Sequence, residues 1–256
     1  MGSILSSPLS SIISPILFPA RRSSYNWDFQ NIISIPKKGE SSESVIPALY
    51  FGNDDNETYV IYSHGNGEDI GECYSWLKFL YDNLKVNIIA YDYQGYGLHE
   101  GNPSENACYR DIKNVFDHLV NCGVDEKNII LYGRSLGTGP TVELASKIYG
   151  LKGVILESPY TSIFSVVSAS LAHTSCCVDP FRNKSKINMI KCPLLIIHGT
   201  NDEVIPYEHG QALQKKSMCN LVTLEGGGHN DLQLYYKDLM LTSIRSFINC
   251  EKNIKI

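Results

Sequence analysis

Residues 128–146 read NIILYGRSLGTGPTVELAS. Apolar β-formers run to Tyr132, Gly133, Gly137 and Gly139 follow, and a helical pattern begins behind them. A strand–glycine–helix junction serves two chemistries. Its backbone N–H groups can cradle a phosphate, or its turn can lift a serine off the sheet as a nucleophile. A P-loop needs G-x-x-x-x-G-K-[ST], and no lysine follows these glycines. A dinucleotide fingerprint needs a third glycine where Val142 stands. What fits is G-x-S-x-G, as Gly133-Arg134-Ser135-Leu136-Gly137. Small residues are needed at both ends because the chain passes close to itself in this turn, and a Cβ would clash. Ser135 Oγ then stands above the strand end, and the helix start aims the Leu136 N–H at developing negative charge. The motif is short enough to arise by chance, so its meaning rests on the rest of the chain.

That rest alternates. Compact apolar runs predict strands at 31–36, 45–51, 58–63, 86–91, 128–132, 153–157, 193–198 and 220–224. YVIYS, NIIAY, NIILY, GVILE and LLIIH are apolar on both sides, as a sheet covered on both faces requires. Helical patterns lie between them. In 109–123, Ile112, Val115, Phe116, Leu119 and Val120 share one stripe that stops near Gly123. Weaker patterns fall near 70–83, 138–149, 208–217 and 232–249. Strand–helix alternation predicts an α/β fold with a mostly parallel central sheet and helices on both faces.

Three other stretches supply chemistry. LLIIHGTNDEVIP places Asp202 on a loop just past a strand, with Glu203 and Glu157 as rival acids. LVTLEGGGHND places His229 after a strand and three glycines, whose backbone freedom can deliver an imidazole to a distant serine. Asp231, two residues on, reads as a helix cap. VIYSHGNGED gives a strand followed by His64-Gly65-Asn66-Gly67, so the Asn66 N–H becomes a second oxyanion donor beside that of Leu136. His64 reads as structural. The order Ser135, Asp202, His229 is that of α/β-hydrolases, unlike the chymotrypsin or subtilisin orders. All four elements follow strand ends, where chemistry gathers in parallel sheets.

The segments SHGNGEDIGE, YDYQGYGLHEGNPSE, NIILYGRSLGTGPTVELAS, PLLIIHGTNDEVIPYEHGQAL and GGGHND resemble the type-seventeen α/β-hydrolase-domain-containing proteins and their fungal bud-emergence relatives. The likeness runs from about Tyr59 to Phe247 and includes Asp92, Gly95 and Gly97, read as turn residues. It implies a membrane-attached serine hydrolase that removes palmitate from protein cysteines, with Ser135, Asp202 and His229 as its triad. Spacing alone implies only a serine hydrolase, and a carboxylesterase, a lysophospholipase or a non-catalytic scaffold fits the same pattern. No cofactor and no metal are implied. Two departures stand out. The animal members attach through an N-terminal cysteine cluster, whereas the first cysteine here is Cys73. Arg134 stands where those members carry glutamine, and reads as a leaving-group or membrane contact or as plain surface.

The N-terminus offers another anchor. Gly2 with Ser6 fits the rule for N-myristoylation. Apolar residues from Ile4 to Leu17 are broken by Pro8 and Pro15, and Arg21 and Arg22 close the segment. A single acyl chain anchors only marginally, so this interfacial stretch would supply the second signal. The expected layout is a membrane-attachment segment at 1–30 and one hydrolase domain at 31–256, with a short lid at about 160–191. In that lid Ile163, Val166, Val167, Leu171 and Phe181 line an acyl groove or pack the core. The location expected is the cytoplasmic face of a membrane. Partners expected are S-acylated proteins or small acyl esters, and the membrane surface.

Composition excludes other classes. With 43% hydrophobic residues in 256, the chain can bury a full core. A net charge of −5, with positive residues in pairs at most, gives nucleic acid no footing. No positive region precedes the first apolar stretch, so no secretory signal is expected. Eight cysteines without C-x-x-C spacing read as reduced and mostly buried.

Overall fold

Four strands are buried at every residue: β4 (Asn87–Tyr91), β5 (Ile129–Arg134), β6 (Gly153–Glu157) and β7 (Leu194–Gly199). Strands covered on both faces must lie in the middle of a layered sheet. The computed structural model, which describes residues 18–19, 22–37, 44–167 and 179–249, has them there. The remaining strands are β1 (Ile32–Pro36), β2 (Val45–Phe51), β3 (Tyr59–Ser63) and β8 (Asn220–Leu224). The order is β1-β2-β4-β3-β5-β6-β7-β8. β1 with β2 and β2 with β4 are antiparallel, and the other neighbours are parallel. This is the α/β-hydrolase sheet that the sequence predicted, with each strand end within two residues of expectation.

Period-2 alternation divides the core between two faces. Ile61, Ile89, Leu131, Val154 and Ile196 point to one side, against Ile112, Val115, Phe116 and Leu119 of α2 (Glu105–Asn121). Val60, Ile88, Ile130, Ile155 and Leu195 point to the other. They meet Trp76, Leu77 and Leu80 of α1 (Tyr74–Asn83) and, through the C-terminal helix at Lys237–Asn249, Met240 and Ile244. Each fully buried aliphatic side chain contributes about 1.5–3 kcal/mol relative to exposure. α2 begins at Ser104, whose Oγ accepts from the Ala107 N–H at 3.1 Å, a cap worth about 1 kcal/mol.

Several expectations need correction. The helix behind the serine motif, α3 (Thr138–Ala145), ends four residues early, and the pattern at 232–249 breaks at Tyr236. Of the five described cysteines, Cys73 and Cys108 are buried while Cys122 is exposed. Phe18 and Tyr25, placed in the N-terminal segment, are 5% and 7% exposed and belong to the two core clusters. The domain body therefore starts before residue 31. Gly2 lies outside the described residues. No helix among the described residues is long and apolar enough to cross a membrane.

Candidate active site

Six parallel strands end on one edge, and the loops beyond them carry the site. Beyond β5 the chain turns at once into a 3-10 turn, Ser135–Gly137. Ser135 has φ of 49°, a left-handed conformation costing an L-residue about 1–2 kcal/mol. Its neighbours explain why the turn closes. A Cβ on Gly133 would run into the Gly137 carbonyl and Thr141, and one on Gly137 would overlap the carbonyls of Ser63 and His64. Thr138 Oγ1 donates to the Ser135 carbonyl at 2.7 Å. The contact of Gly137 with residues 63 and 64 also sets the loop after β3, with Asn66, beside the elbow. Gly139 makes room for Tyr160 and Phe181, which a Cβ there would overlap.

Three distant side chains meet here. His229 Nε2 lies 3.0 Å from Ser135 Oγ, and Nδ1 lies 2.8 Å from Asp202 Oδ2. Ser135, Asp202 and His229 are only 8%, 6% and 6% exposed. Asp202 Oδ1 also accepts from the N–H groups of Val204 at 3.0 Å and Ile205 at 2.7 Å. Burial pushes its pKa up, but bonds from His198 and His229, the His229 charge and the Ile205 N–H together hold it well below the usual carboxylate range. Asp202 is thus an ionised acceptor, which fixes the proton of His229 on Nδ1 and leaves Nε2 as an acceptor for the serine proton.

The rival acids do other work. Glu203 accepts from the His229 backbone N–H at 3.2 Å. Glu157 is fully buried and accepts from Tyr132 Oη at 2.7 Å and from Gln233 Nε2 at 3.0 Å. Asp231 does not cap its helix with its side chain; Oδ1 accepts from Gly228 N–H at 2.8 Å and so closes the glycine loop that carries His229. The side chain of Asn66 accepts from Tyr96 Oη at 2.6 Å, which orients the residue read as an oxyanion donor. Leu136, the other, is 3% exposed and its carbonyl accepts from Tyr160 Oη at 3.1 Å.

Asp92 accepts from Ile70 N–H at 3.1 Å and from Tyr25 Oη, while Gly95 and Gly97 have φ of 88° and 52° that favour glycine. In the lid, Phe181 is 0% exposed and packs edge-on against Phe18, Tyr109 and Tyr160. Ile163 and Val166 are half-buried against the same core, and Leu171 lies outside the described residues.

Two residues carry more than their sequence suggested. Arg134 is not on the surface but 9% exposed, with Nη1 2.8 Å from Glu68 and Nε 3.4 Å from Glu157. Burial opposes its charge, yet the two carboxylates outweigh that and raise its pKa. His198 was not singled out at all. Its Nε2 lies 2.8 Å from the Ile205 carbonyl and 3.3 Å from Asp202 Oδ2, and its Nδ1 has no hydrogen-bond partner among the described residues. With Nε2 between the Ile205 carbonyl and the Asp202 carboxylate, the ring steadies the acid from behind. The only hint in the sequence was a histidine four residues before Asp202.

Known proteins agree with this architecture. The family model described as "Serine aminopeptidase, S33" matches residues 54–181. Alpha/beta hydrolase domain-containing protein 17C of Xenopus tropicalis is 43% identical over 195 residues, covering 75% of this chain and 62% of its own length. A putative alpha/beta hydrolase, L404, of Acanthamoeba polyphaga mimivirus is 40% identical over 215 residues, covering 82% and 81%. The chain therefore spans less than two thirds of the animal relative but most of the viral one. Among solved structures, the Pyrococcus furiosus esterase Pf2001 superposes with a TM-score of 0.72 at 17% identity, covering 91% of this chain and 98% of its own, a likeness of fold. With a family model over half its length and relatives at 40% identity or more, the chain belongs to the α/β-hydrolase family and is similar to its type 17 domain-containing members.

Proposed function

We propose that this hydrolase cleaves acyl thioesters through Ser135, His229 and Asp202, releasing long-chain acyl groups from protein cysteines. The observation that carries the serine mechanism is the unbroken chain from Ser135 Oγ to His229 Nε2 at 3.0 Å and from Nδ1 to Asp202 at 2.8 Å. Ser135 attacks the acyl carbonyl while His229 takes its proton. The Leu136 and Asn66 N–H groups receive the oxyanion. As the tetrahedral intermediate collapses, the C–S bond breaks and His229 returns the proton to the leaving thiolate. Water, deprotonated by the same histidine, then hydrolyses the acyl-enzyme. Asp202 holds the ring and stabilises its cation at each protonation.

The thioester substrate rests on the resemblance to the type-seventeen proteins. Myristoylation at Gly2, with the apolar stretch behind it, would bring the domain to the cytoplasmic face of a membrane where S-acylated proteins lie. Turnover of an S-palmitoyl peptide, measured against the matching oxygen ester, tests the substrate. Faster thioester turnover is expected, and exclusive oxygen-ester turnover would give a carboxylesterase instead. Mass spectrometry of the native N-terminus tests the anchor: Gly2 should carry a myristoyl group.

A further inference from the structure

The guanidinium of Arg134, the residue before the nucleophile, reaches the loop after β3, the end of β6 and the loop that carries His229. Nη1 donates to Glu68 Oε1 at 2.8 Å, and that same oxygen accepts from the Gly65 N–H at 2.5 Å. A Cβ on Gly65 would come within 2.8 Å of Nη1, so the loop carrying Asn66 is pressed onto the guanidinium. Nη2 donates to Asn230 Oδ1 at 3.0 Å and, at 3.4 Å, to the backbone carbonyl of His229 itself. Nε faces Glu157 at 3.4 Å. Glu157 in turn accepts from Tyr132 on β5 and from Gln233, four residues after His229.

We propose that Arg134 is a positioning residue, clamping the loop of the base and the loop of the oxyanion donor to the nucleophile elbow. The inference rests on the serine mechanism above. The physical reason is geometric. His229 stands at the end of a glycine run, and Asn66 stands between two glycines, so neither loop is stiff by itself. One planar fork with five fixed donors can hold both in register with Ser135, which a lysine ammonium cannot. Four acceptors, on two loops and the end of β6, converge on a side chain whose backbone belongs to the elbow, so drift of either loop is felt by the other.

The experiment is the rate of Ser135 phosphonylation by a fluorophosphonate, run beside kcat and KM for a small soluble ester. Arg134→Met should slow both phosphonylation and kcat by about 10²-fold, the cost of an ångström-scale misplacement, with KM nearly unchanged. Arg134→Lys, which keeps the charge but not the fork, should recover only part of this loss. Asn230→Ala removes one exposed arm of the clamp and should slow phosphonylation several-fold, about as expected for a lost charge-assisted hydrogen bond. Its effect should largely vanish when added to Arg134→Met. A folded Arg134→Met that labels at the wild-type rate overturns the proposal. Should Arg134→Met fail to fold, Asn230→Ala and Glu68→Gln decide: slowed labelling at unchanged KM supports the clamp, and wild-type rates in both overturn it. Wild-type protein that takes no label at all defeats the serine mechanism, a separate failure.

Discussion

Of the histidines that face aspartates near the carboxyl edge of this sheet, His64 and His229 form the sharpest contrast, because only His229 also meets a serine. His64 Nε2 lies 3.3 Å from Asp92, and its Nδ1 lies 2.8 Å from the Gly65 carbonyl. Its ring also packs against Tyr93 and Tyr96. Nδ1 is hydrogen-bonded to the scaffold, Nε2 lies at ion-pair distance from Asp92, and the side chain is 0% exposed. His229 gives one nitrogen to Asp202 and turns the other to Ser135 Oγ. A histidine–aspartate pair is therefore a brace or a base according to what its second nitrogen meets. The pairs also differ in which member is shifted. Burial lowers the pKa of His64, but Asp92 outweighs it and the pKa ends raised. For the other pair the depressed group is the acid, Asp202.

Breaking the base should have the largest effect. Ser135→Ala should lower kcat by about 10⁶ if the three residues act as a unit. Asp202→Asn should lower it by about 10⁴, because His229 loses the acceptor that sets its tautomer. Steady-state turnover of a chromogenic ester checks both. Breaking the brace should have a different signature. His64→Gln should leave kcat within about tenfold of wild type while lowering stability by about 3 kcal/mol in urea unfolding, since Asp92 loses a buried partner.

The two pairs should also fail in opposite pH windows. His64 has a raised folded pKa, so its contribution is full below about pH 6.5 and is lost as pH rises through the folded value. Asp202 has a depressed one, so its contribution is present above about pH 3.9 and is lost as pH falls towards the folded value. Unfolding midpoints across pH should show His64→Gln flattening the alkaline limb and Asp202→Asn the acid limb. The smallest effect belongs to a pair outside both networks. Lys113 and Asp117 are an exposed i,i+4 pair at 2.5 Å, and Lys113→Ala should cost under about 0.5 kcal/mol.

The same contrast explains what could be read from the sequence. β5 and the elbow were legible because a glycine pattern with a fixed spacing has one steric meaning. Asp202 and His229 were legible because chain order and strand ends limit where such residues can meet. His64 was rightly read as structural, but nothing local pointed to Asp92 as its partner. Arg134 was misjudged for the same reason. Its burial depends on Glu68, Glu157 and Asn230, up to 96 residues away, and no periodicity reports such a meeting. The docking of Phe18 and Tyr25 was missed because isolated aromatics in a serine- and proline-rich stretch carry no pattern. Burial of a charge or a lone ring is a tertiary fact, whereas a strained turn is written into its own few residues.

The central claim is that His229, not His64, drives a nucleophile, and that the nucleophile is Ser135. Reaction of the protein with a fluorophosphonate, followed by peptide mass spectrometry, tests this most directly. A single adduct on the peptide containing Ser135 is predicted, abolished in Ser135→Ala and retained in His64→Gln. Undiminished labelling of Ser135→Ala, or an unlabelled wild type, would contradict it.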